Sequence, residues 1–489
     1  MSCSQSKLEQ ARAYEARESA QIPAQSRPQF HLTPWVGWMN DPNGFCYYNG
    51  AYHLFYQYHP YDTVWGPMHW GHASSTDLLH WTHLPCALAP DSPADEKGCF
   101  SGTALPLEDG RLMLLYTGVQ ENEKGEVRQL QCLAIGDGVD FTKDRQNPVI
   151  SESHLPEGAS AVDFRDPKIW YEDGLYQCVV STRDAKDQGR ILLYQSADAR
   201  RWEYRTTLDT CRNEYGKMWE CPDFFSLDGR QLLLVSPQEM AGSPDGEFHP
   251  GFGTVALLGH YDKTTLRFTR EAVQAIDYGT DFYAPQTVQA PDGRRIMIGW
   301  MQNWATVNDT PRRQKWFGCM TLPRELSVQN GRLYQRPVRE LENLWKSTVQ
   351  HSETLNGRAV YEDMAGRSFD CTVVLDTAAS PDCRRFALHF AEDARHSTRI
   401  EWDAVRGELV FDRSLCGTRC DMPHIRRVKI APQDGKLSLR LILDGNCAEF
   451  FVNDGAYAFS AIVDTPPEAD GISLHSDGAA LIDVTYHAL

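Results

Sequence analysis

Five short turns divide the first two-thirds of this 489-residue chain into segments of similar length. Each turn is Asn-Gly or Asp-Gly followed by an apolar or alternating run, which is the strongest short-range signal for a β-hairpin. The turns are Asn49-Gly50, Asp109-Gly110, Asp173-Gly174, Asp228-Gly229 and Asp292-Gly293. The intervals between them are 60, 64, 55 and 64 residues, close to the length of the longer four-stranded propeller repeats. We therefore predict a five-bladed β-propeller over residues 30–335.

A polar side chain precedes each turn at nearly the same distance. The five side chains lie seven to nine residues before the Asn or Asp of their turns: Asp41, Ser101, Asp166, Glu220 and Tyr283. Equivalent positions in successive blades of a propeller face the same axial channel. We therefore expect three carboxylates, a hydroxyl and a phenol to meet in one cavity, although as many as 242 residues separate them.

The pattern changes after the fifth segment. Val338, Leu341, Leu344 and Trp345 fall near helical spacing and predict a linker helix over residues 336–346. From residue 347 to residue 489, dense turn signals and short alternating runs predict a β-sandwich. Residues 1–29 form a charged, helical N-terminal extension. The predicted fold is thus all-β, a five-bladed propeller followed by a C-terminal β-sandwich, with a short N-terminal helix.

Composition excludes several classes of partner. The net charge of −18 argues against nucleic acid or an anionic membrane surface. No apolar run approaches the ~18 residues of a membrane span, and residues 1–21 lack the apolar core of a signal peptide. Fourteen cysteines are scattered along the chain, the nearest pair being Cys416 and Cys420. This pattern favours reduced thiols over a disulfide framework, so we expect a cytoplasmic protein.

The three acids differ in their local context. Glycoside hydrolysis needs one ionised and one protonated carboxyl group beside the scissile bond, so their environments must separate their pKa values. Asp41 precedes a proline, which biases it towards an extended backbone. With Asn40 as a possible donor, Asp41 is the better candidate for the ionised nucleophile.

The other two acids suit different roles. Glu220 lies between Trp219 and Cys221, and such apolar neighbours suit a raised pKa and a general acid that later acts as a base. Asp166 follows Arg165, which we expect to keep it ionised. Asp166 is therefore better suited to binding sugar hydroxyl groups than to moving protons.

Several blocks of the sequence resemble glycoside hydrolase family 32, and most closely its bacterial β-fructofuranosidases. The blocks are WMNDPNG at 38–44, FYQY at 55–58, WGPMHWGH at 65–72, FSG at 100–102, FRDP at 164–167, WECPD at 219–223 and DFYAPQ at 281–286. The resemblance implies a five-bladed propeller with a C-terminal sandwich, retention of configuration at the anomeric carbon, and no cofactor.

The resemblance also implies roles for individual residues. Asp41 matches the nucleophile, Glu220 the acid/base and Asp166 the transition-state stabiliser. The predicted substrate-binding residues come from the same blocks, except for Trp304. They are Trp38, Asn40, Gln57, Trp65, Phe100, Ser101, Arg165, Tyr283 and Trp304. For Trp65 and Trp304, sugar stacking and core packing are equally good interpretations.

Two further motifs have more than one interpretation. His69 and His72 have the spacing of a metal pair, but no third ligand lies near them in sequence, and zinc needs three or four. Arg312, Arg313 and Lys315 form a basic run that is either a solvated loop or a contact for a substrate phosphate.

We therefore expect a retaining β-fructofuranosidase that acts on sucrose, with short fructo-oligosaccharides as further candidate substrates. Sucrose-6-phosphate hydrolysis and fructosyl transfer are alternatives, and a non-catalytic carbohydrate-binding propeller is a remote one. Residues 299–304 look more like the members that act on unphosphorylated substrates. The sequence leaves oligomeric state and preferred chain length open.

Overall fold

The computed structural model of the protein describes residues 5–417 and 422–489. Helix α1 (Lys7–Ser19) begins at a capping box in which Ser6 and Glu9 each accept a hydrogen bond from the other's backbone N–H. Arg12 and Glu15 of α1 bind the backbone of Cys86 in the first blade. Cys420 lies outside the described residues, so the Cys416–Cys420 pair has no structural account.

Five blades of four antiparallel strands each follow one another along the chain, and a fifth, parallel strand joins the sheet of the first blade. Blades 1 and 2 contain β1 (Gly37–Tyr48), β2 (Ala51–His59), β3 (His69–Ser75) and β4 (Thr82–Leu88), and then β5 (Gly98–Pro106), β6 (Leu112–Glu121), β7 (Val127–Gly136) and β8 (Phe141–Lys143). Blades 3 and 4 contain β9 (Arg165–Glu172), β10 (Leu175–Arg183), β11 (Gly189–Ser196) and β12 (Trp202–Thr210), and then β13 (Trp219–Leu227), β14 (Arg230–Pro237), β15 (Val255–Asp262) and β16 (Arg267–Ala275). Blade 5 contains β17 (Tyr283–Gln289), β18 (Arg295–Trp300) and, after the short β19 (Trp316–Phe317), β20 (Arg324–Gln329) and β21 (Arg332–Pro337). The predicted five-bladed propeller is confirmed.

The ring of blades is closed by a strand from the end of the domain. β19 pairs in parallel with β1 through Gly37–Trp316 and Trp38–Phe317. This pairing joins blade 1 to blade 5, because β19 lies between β18 and β20 of the last blade.

The five turns join the first and second strands of their blades, as predicted. In three of them both central residues have positive φ, as a two-residue hairpin turn requires: Asn49-Gly50, Asp173-Gly174 and Asp228-Gly229. In the other two, only Gly110 and Gly293 have positive φ, because those turns are longer.

The second strand of each blade is buried on both faces. In β6, Leu112 and Leu114 pack with residues of blade 1, whereas Met113 and Leu115 pack with residues of blade 3. Successive side chains of a strand point to opposite faces, and here both faces meet a neighbouring blade. This explains why the runs after the turns are continuously apolar.

The C-terminal domain is a single ten-stranded sheet that folds into two layers packed around one core. Its strands are β22 (Ser347–Ala359), β23 (Ser368–Asp376), β24 (Arg385–Glu392), β25 (Ser397–Asp403), β26 (Glu408–Leu415), β27 (Ile425–Lys429), β28 (Lys436–Asp444), β29 (Cys447–Val452), β30 (Tyr457–Ile462) and β31 (Gly471–Ala488). The long strand β31 pairs with β24 through its first part and with β23 through its second part. It is therefore shared by both layers, and the predicted sandwich is confirmed.

The segment expected to be a linker helix contains a 3₁₀ helix, Arg339–Leu344; shorter 3₁₀ turns are Ala24–Ser26 and Glu152–His154. We propose domain boundaries at residues 30, 336 and 347. Within the described part of the chain, no helix is long and apolar enough to cross a membrane.

A buried ion network joins the two domains. Arg324 of β20, fully buried, binds Glu449 of the sandwich at 2.6 Å and Asp277 at 3.0 Å. His31, which precedes the first blade, bridges Asp444 at 2.9 Å and Glu449 at 3.1 Å. Burial acts to lower the pKa of His31, but its hydrogen bonds to the two carboxylates outweigh burial and raise it to about 10. The imidazole is therefore charged at neutral pH.

Candidate active site

The innermost strand of every blade is interrupted by a β-bulge. The pairing of the first and second strands shifts next to Asp41, Ser101, Asp166, Glu220 and Tyr283 in turn. A bulge disrupts pairing and re-aims the side chains beside it. The five polar positions expected from the turn spacing therefore lie where the strands are shaped to present them.

The bulges correct one part of the predicted equivalence. Asp166, Cys221 and Ala284 have left-handed backbones with φ of 65°, 49° and 51°, and each precedes a proline. These three residues occupy the same position in blades 3, 4 and 5. Glu220 and Tyr283 therefore lie one residue earlier and correspond to Arg165, not to Asp166.

Asp41 is oriented by neighbours on both of its oxygens. Asn40 donates from Nδ2 to Oδ1 at 3.0 Å, and Ser101 donates from Oγ to Oδ2 at 2.8 Å. The amide oxygen of Asn40 in turn accepts from the indole N–H of Trp38 at 2.7 Å. The thiol of Cys221 approaches Oδ2 at 3.5 Å. These hydrogen bonds define the orientation of the Asp41 carboxylate.

Asp166 is held from its backbone and its side chain. Its N–H donates to Oγ1 of Thr117 at 2.9 Å, and its Oδ2 accepts from the backbone N–H of Cys221 at 3.0 Å. Cys221 therefore contacts both aspartates, Asp41 through its thiol and Asp166 through its backbone N–H.

Glu220 lies between a guanidinium and a phenol. Arg165 donates from Nε to Oε1 at 3.0 Å, and Tyr283 donates from its hydroxyl to Oε2 at 2.6 Å. Arg165 is itself fixed by Asp163 and Gln129, each at 3.1 Å. These contacts bring together residues of three successive blades.

Three carboxyl groups share the site with one guanidinium. Burial, followed by Glu220, raises the pKa of Asp41. Burial also raises the pKa of Asp166 to about 7, because Arg165 offsets only part of that effect and the other two acids add to it. Arg165 alone therefore does not keep the pKa of Asp166 low, which departs from the expectation based on its neighbour in sequence.

The predicted aromatic residues are distributed between the floor and the rim of the site. Trp38 is buried, with its ring centroid 6.1 Å from that of Trp304. Trp304 also packs 5.0 Å from Trp300 and is half-buried. Trp65 is 49% exposed, and its ring meets the edge of Phe100 at 6.0 Å. Trp65 and Phe100 thus offer an accessible aromatic surface at the rim.

The remaining motif residues lie behind these groups. Gln57 is buried and donates to the backbone oxygen of Cys99 at 3.0 Å, which ties β2 to β5. His69 binds the backbone oxygen of Pro67, and His72 contacts His53 at 3.0 Å. The two histidines that have the spacing of a metal pair therefore have separate partners.

Sequence reasoning did not identify Thr117 or Asp163. Thr117 lies on the second strand of blade 2, where no motif distinguishes it, yet it also donates to the backbone oxygen of Ser101 at 3.0 Å. Asp163 stands three residues before Asp166, and a buried arginine needs such a partner. The need of Arg165 for an acidic partner was therefore the sequence signal that could have identified Asp163.

Carboxyl groups that are held at one site by separate sets of donors suit glycoside hydrolysis. A propeller with this site and a sandwich behind it defines a class of glycoside hydrolases. The N-terminal domain model of glycosyl hydrolases family 32 matches residues 31–337, and the C-terminal model of the same family matches residues 336–488. The chain belongs to glycosyl hydrolase family 32.

Individual relatives agree with this assignment. The chain is 40% identical to a raffinose invertase of Escherichia coli over 92% of each chain, and 38% identical to a sucrose-6-phosphate hydrolase of the same organism over 93% of each. Its structure is similar to that of a Bombyx mori β-fructofuranosidase, with a TM-score of 0.84 and 34% identity over 98% of this chain and 97% of the other.

Proposed function

We propose that this chain is a retaining β-fructofuranosidase that hydrolyses sucrose by double displacement. The observation that carries the proposal is the separate orientation of two carboxyl groups in one site. Asp41 is held by Asn40 and Ser101, whereas Glu220 is held by Arg165 and Tyr283. Relatives that are named for sucrose-type substrates support the same conclusion.

Each carboxyl group has a distinct part in the proposed reaction. Asp41 attacks C2 of the fructosyl unit while Glu220 gives its proton to the departing glucosyl oxygen. Glu220 then takes a proton from water as the water attacks C2, which releases fructose and restores the Asp41 carboxylate. Asp166 binds the ring hydroxyl groups, and the aromatic rim of Trp65 and Phe100 receives the rest of the substrate.

Sucrose 6-phosphate is a second candidate because one cation of the basic run reaches the site. Arg312 lies 4.5 Å over the ring of Phe317 and 6.0 Å from that of Trp38. Arg313 and Lys315 have other partners, since Arg313 binds Asp464 of the sandwich and Lys315 binds α1. The Nε and Nη2 groups of Arg312 already donate to backbone oxygens, so we favour unphosphorylated sucrose.

The proposal is tested by a side-by-side assay of sucrose, sucrose 6-phosphate, raffinose, 1-kestose and inulin, with glucose and fructose quantified. We expect the highest kcat/KM on sucrose. Asp41→Asn is expected to lose at least a thousandfold in kcat, because no other group can form the covalent intermediate. Fructose release from none of these sugars, or wild-type turnover by Asp41→Asn, would overturn the proposal.

We also propose that the protein works in a reducing compartment, as expected from its sequence. In support, the twelve cysteines within residues 5–417 and 422–489 are buried free thiols. Fractionation of cells that express the chain, with activity assayed in each fraction, tests this proposal.

A further inference from the structure

A group of metal-ligand side chains lies on the sandwich, away from the carboxyl cluster of the propeller. His389, Glu392 and His475 each bring one ligand atom to within 4.8 Å of the other two. All three side chains are half-buried. His389 and Glu392 belong to β24, and His475 belongs to the adjacent strand β31.

A local irregularity places these three residues on one face. Residues three apart on a regular strand point to opposite sides of the sheet, so Glu392 should face away from His389. The register between β24 and β31 shifts between these two residues. The buried residue Ala391, with φ of 49°, adopts the left-handed conformation that side chains rarely take. The resulting bulge turns Glu392 to the side of the histidines.

Hydrogen bonds orient the ligand groups. The Nδ1 atom of His389 contacts Oγ of Ser397 at 2.9 Å, which leaves Nε2 unengaged by that contact. The hydroxyl of Ser473 bridges Glu392 and His475, lying 2.9 Å from Nε2 of the histidine. Metal-binding histidines typically have such a partner on the second ring nitrogen, because it fixes the tautomer and the ring orientation.

From this arrangement we propose that His389, Glu392 and His475 form a zinc-binding site on the sandwich. Two imidazoles and one carboxylate are ligands that Zn²⁺ prefers, and three protein ligands leave a fourth position for water. Bonds of ~2.1 Å require ligand atoms about 3.4 Å apart, which modest rotations of half-buried side chains can reach. The metal would join β24 to the strand that both layers of the sandwich share.

Of the arginines around the cluster, Arg358 competes with the metal for Glu392. Nη2 of Arg358 lies 3.7 Å from Oε1 of Glu392, so the carboxylate has a weak ion-pair partner when no metal is bound. Removing this charge should favour zinc. The proposal therefore predicts opposite effects for two substitutions around one carboxylate, which a general affinity of surface histidines for zinc would not produce.

Isothermal titration of the full chain with Zn²⁺ tests the proposal. We expect one site per chain, weakened at least tenfold by His475→Gln and by Glu392→Gln, and strengthened by Arg358→Gln. His351→Gln is the matched control, since His351 lies on the same domain beside Asp363, and it should leave the titration unchanged. Equal binding by the wild type and a His389→Gln/His475→Gln double variant would overturn the proposal.

A second measurement uses only the wild-type chain, so its result does not depend on whether a variant folds. Co²⁺ added to the wild-type chain should give the visible absorption of a four-coordinate ion, and stoichiometric Zn²⁺ should abolish it. Absence of that absorption at protein concentrations where the titration reports a site would contradict the assigned ligands. Binding alone is measured, so failure here leaves the proposed hydrolase function untouched.

Discussion

Tyr283 donates its hydroxyl hydrogen to Oε2 of Glu220 at 2.6 Å, although 63 positions separate the two residues along the chain. The same hydroxyl lies 3.0 Å from the backbone oxygen of Ser236. The phenol is buried and has little freedom. It therefore fixes the orientation of the carboxyl group that we propose as acid and base.

Tyr283→Phe should lower kcat on sucrose by about 10- to 100-fold with little change in KM. The estimate follows from the ~1.5–3 kcal/mol of a hydrogen bond to a charged group. Steady-state kinetics on sucrose measure the effect. Tyr204→Phe is a suitable control, because Tyr204 lies on the outer strand β12 and contacts Thr207. An unchanged kcat in Tyr283→Phe would show that the contact does not orient the acid.

Glu220→Gln should respond strongly to the quality of the leaving group. A general acid contributes about 10²- to 10⁴-fold by protonating the departing oxygen. On sucrose we expect a loss in this range, whereas on 4-nitrophenyl β-fructofuranoside the first step should be nearly normal, because 4-nitrophenolate departs without a proton. Pre-steady-state release of nitrophenol measures that step. Equal losses on both substrates would refute the acid role.

Asp166→Asn should stabilise the fold while impairing catalysis. A folded-state pKa of about 7, above the ordinary 3.8, means that the folded chain holds a proton which the unfolded chain has lost. Stability therefore falls as pH rises from about 4 to about 7. The amide removes this penalty and still accepts the hydrogen bond from the N–H of Cys221.

We expect Asp166→Asn to raise the free energy of unfolding by about 1–3 kcal/mol at pH 8 and by less at pH 5. Urea denaturation at the two pH values measures this difference, with the exposed Asp382→Asn as control. A variant less stable than the wild type at pH 8 would mean that Asp166 is ionised at no cost in the folded chain.

The positions of the site residues follow from sequence because turn spacing and proline placement are local. Asp41, Asp166 and Glu220 lie ahead of turns that occur once per blade, so a count along the chain suffices to bring them to the axis. Which residue of each bulge occupies the equivalent position cannot be read from the local sequence. Glu220 proves equivalent to Arg165, since each directly precedes the left-handed residue of its bulge, Cys221 and Asp166.

Charge states were less predictable than positions. The sequence places Arg165 beside Asp166, but it does not contain the distances to Glu220 and Asp41, whose charges add to the effect of burial. The same limit applies to His31, which carries no motif. Its two carboxylate partners, Asp444 and Glu449, are more than 400 residues away in the chain.

Arg312→Gln distinguishes the two candidate substrates. If Arg312 meets a phosphate at the rim, the variant should lose at least tenfold in kcat/KM for sucrose 6-phosphate and little for sucrose. If sucrose is the substrate, as we favour, both values should change by less than about threefold. Arg313→Gln is the matched control, because its guanidinium binds Asp464 of the sandwich. The ratio of the kcat/KM values for sucrose 6-phosphate and sucrose measures the effect, because this ratio does not depend on the concentration of active enzyme.

His31→Gln should weaken the junction of the two domains at neutral pH. A folded-state pKa raised to about 10, above the ordinary 6.5, contributes stability that is fully present below pH 6.5 and is lost as pH rises through about 10. Glutamine cannot supply the charge between Asp444 and Glu449. Breaking a buried ion pair costs about 3–5 kcal/mol, and we expect the lower end, because Asp444 keeps three backbone N–H donors and Glu449 keeps Arg324.

The wild type and His31→Gln should therefore differ most near pH 6 and converge towards pH 10. Thermal unfolding across this range measures the difference, and comparing the two proteins at each pH cancels the other groups that titrate there. His351→Gln, at a half-exposed histidine of the sandwich, should show no such convergence. If the difference in unfolding temperature between the wild type and His31→Gln stays constant from pH 6 to pH 10, the shape of the histidine, and not its charge, stabilises the junction of the domains.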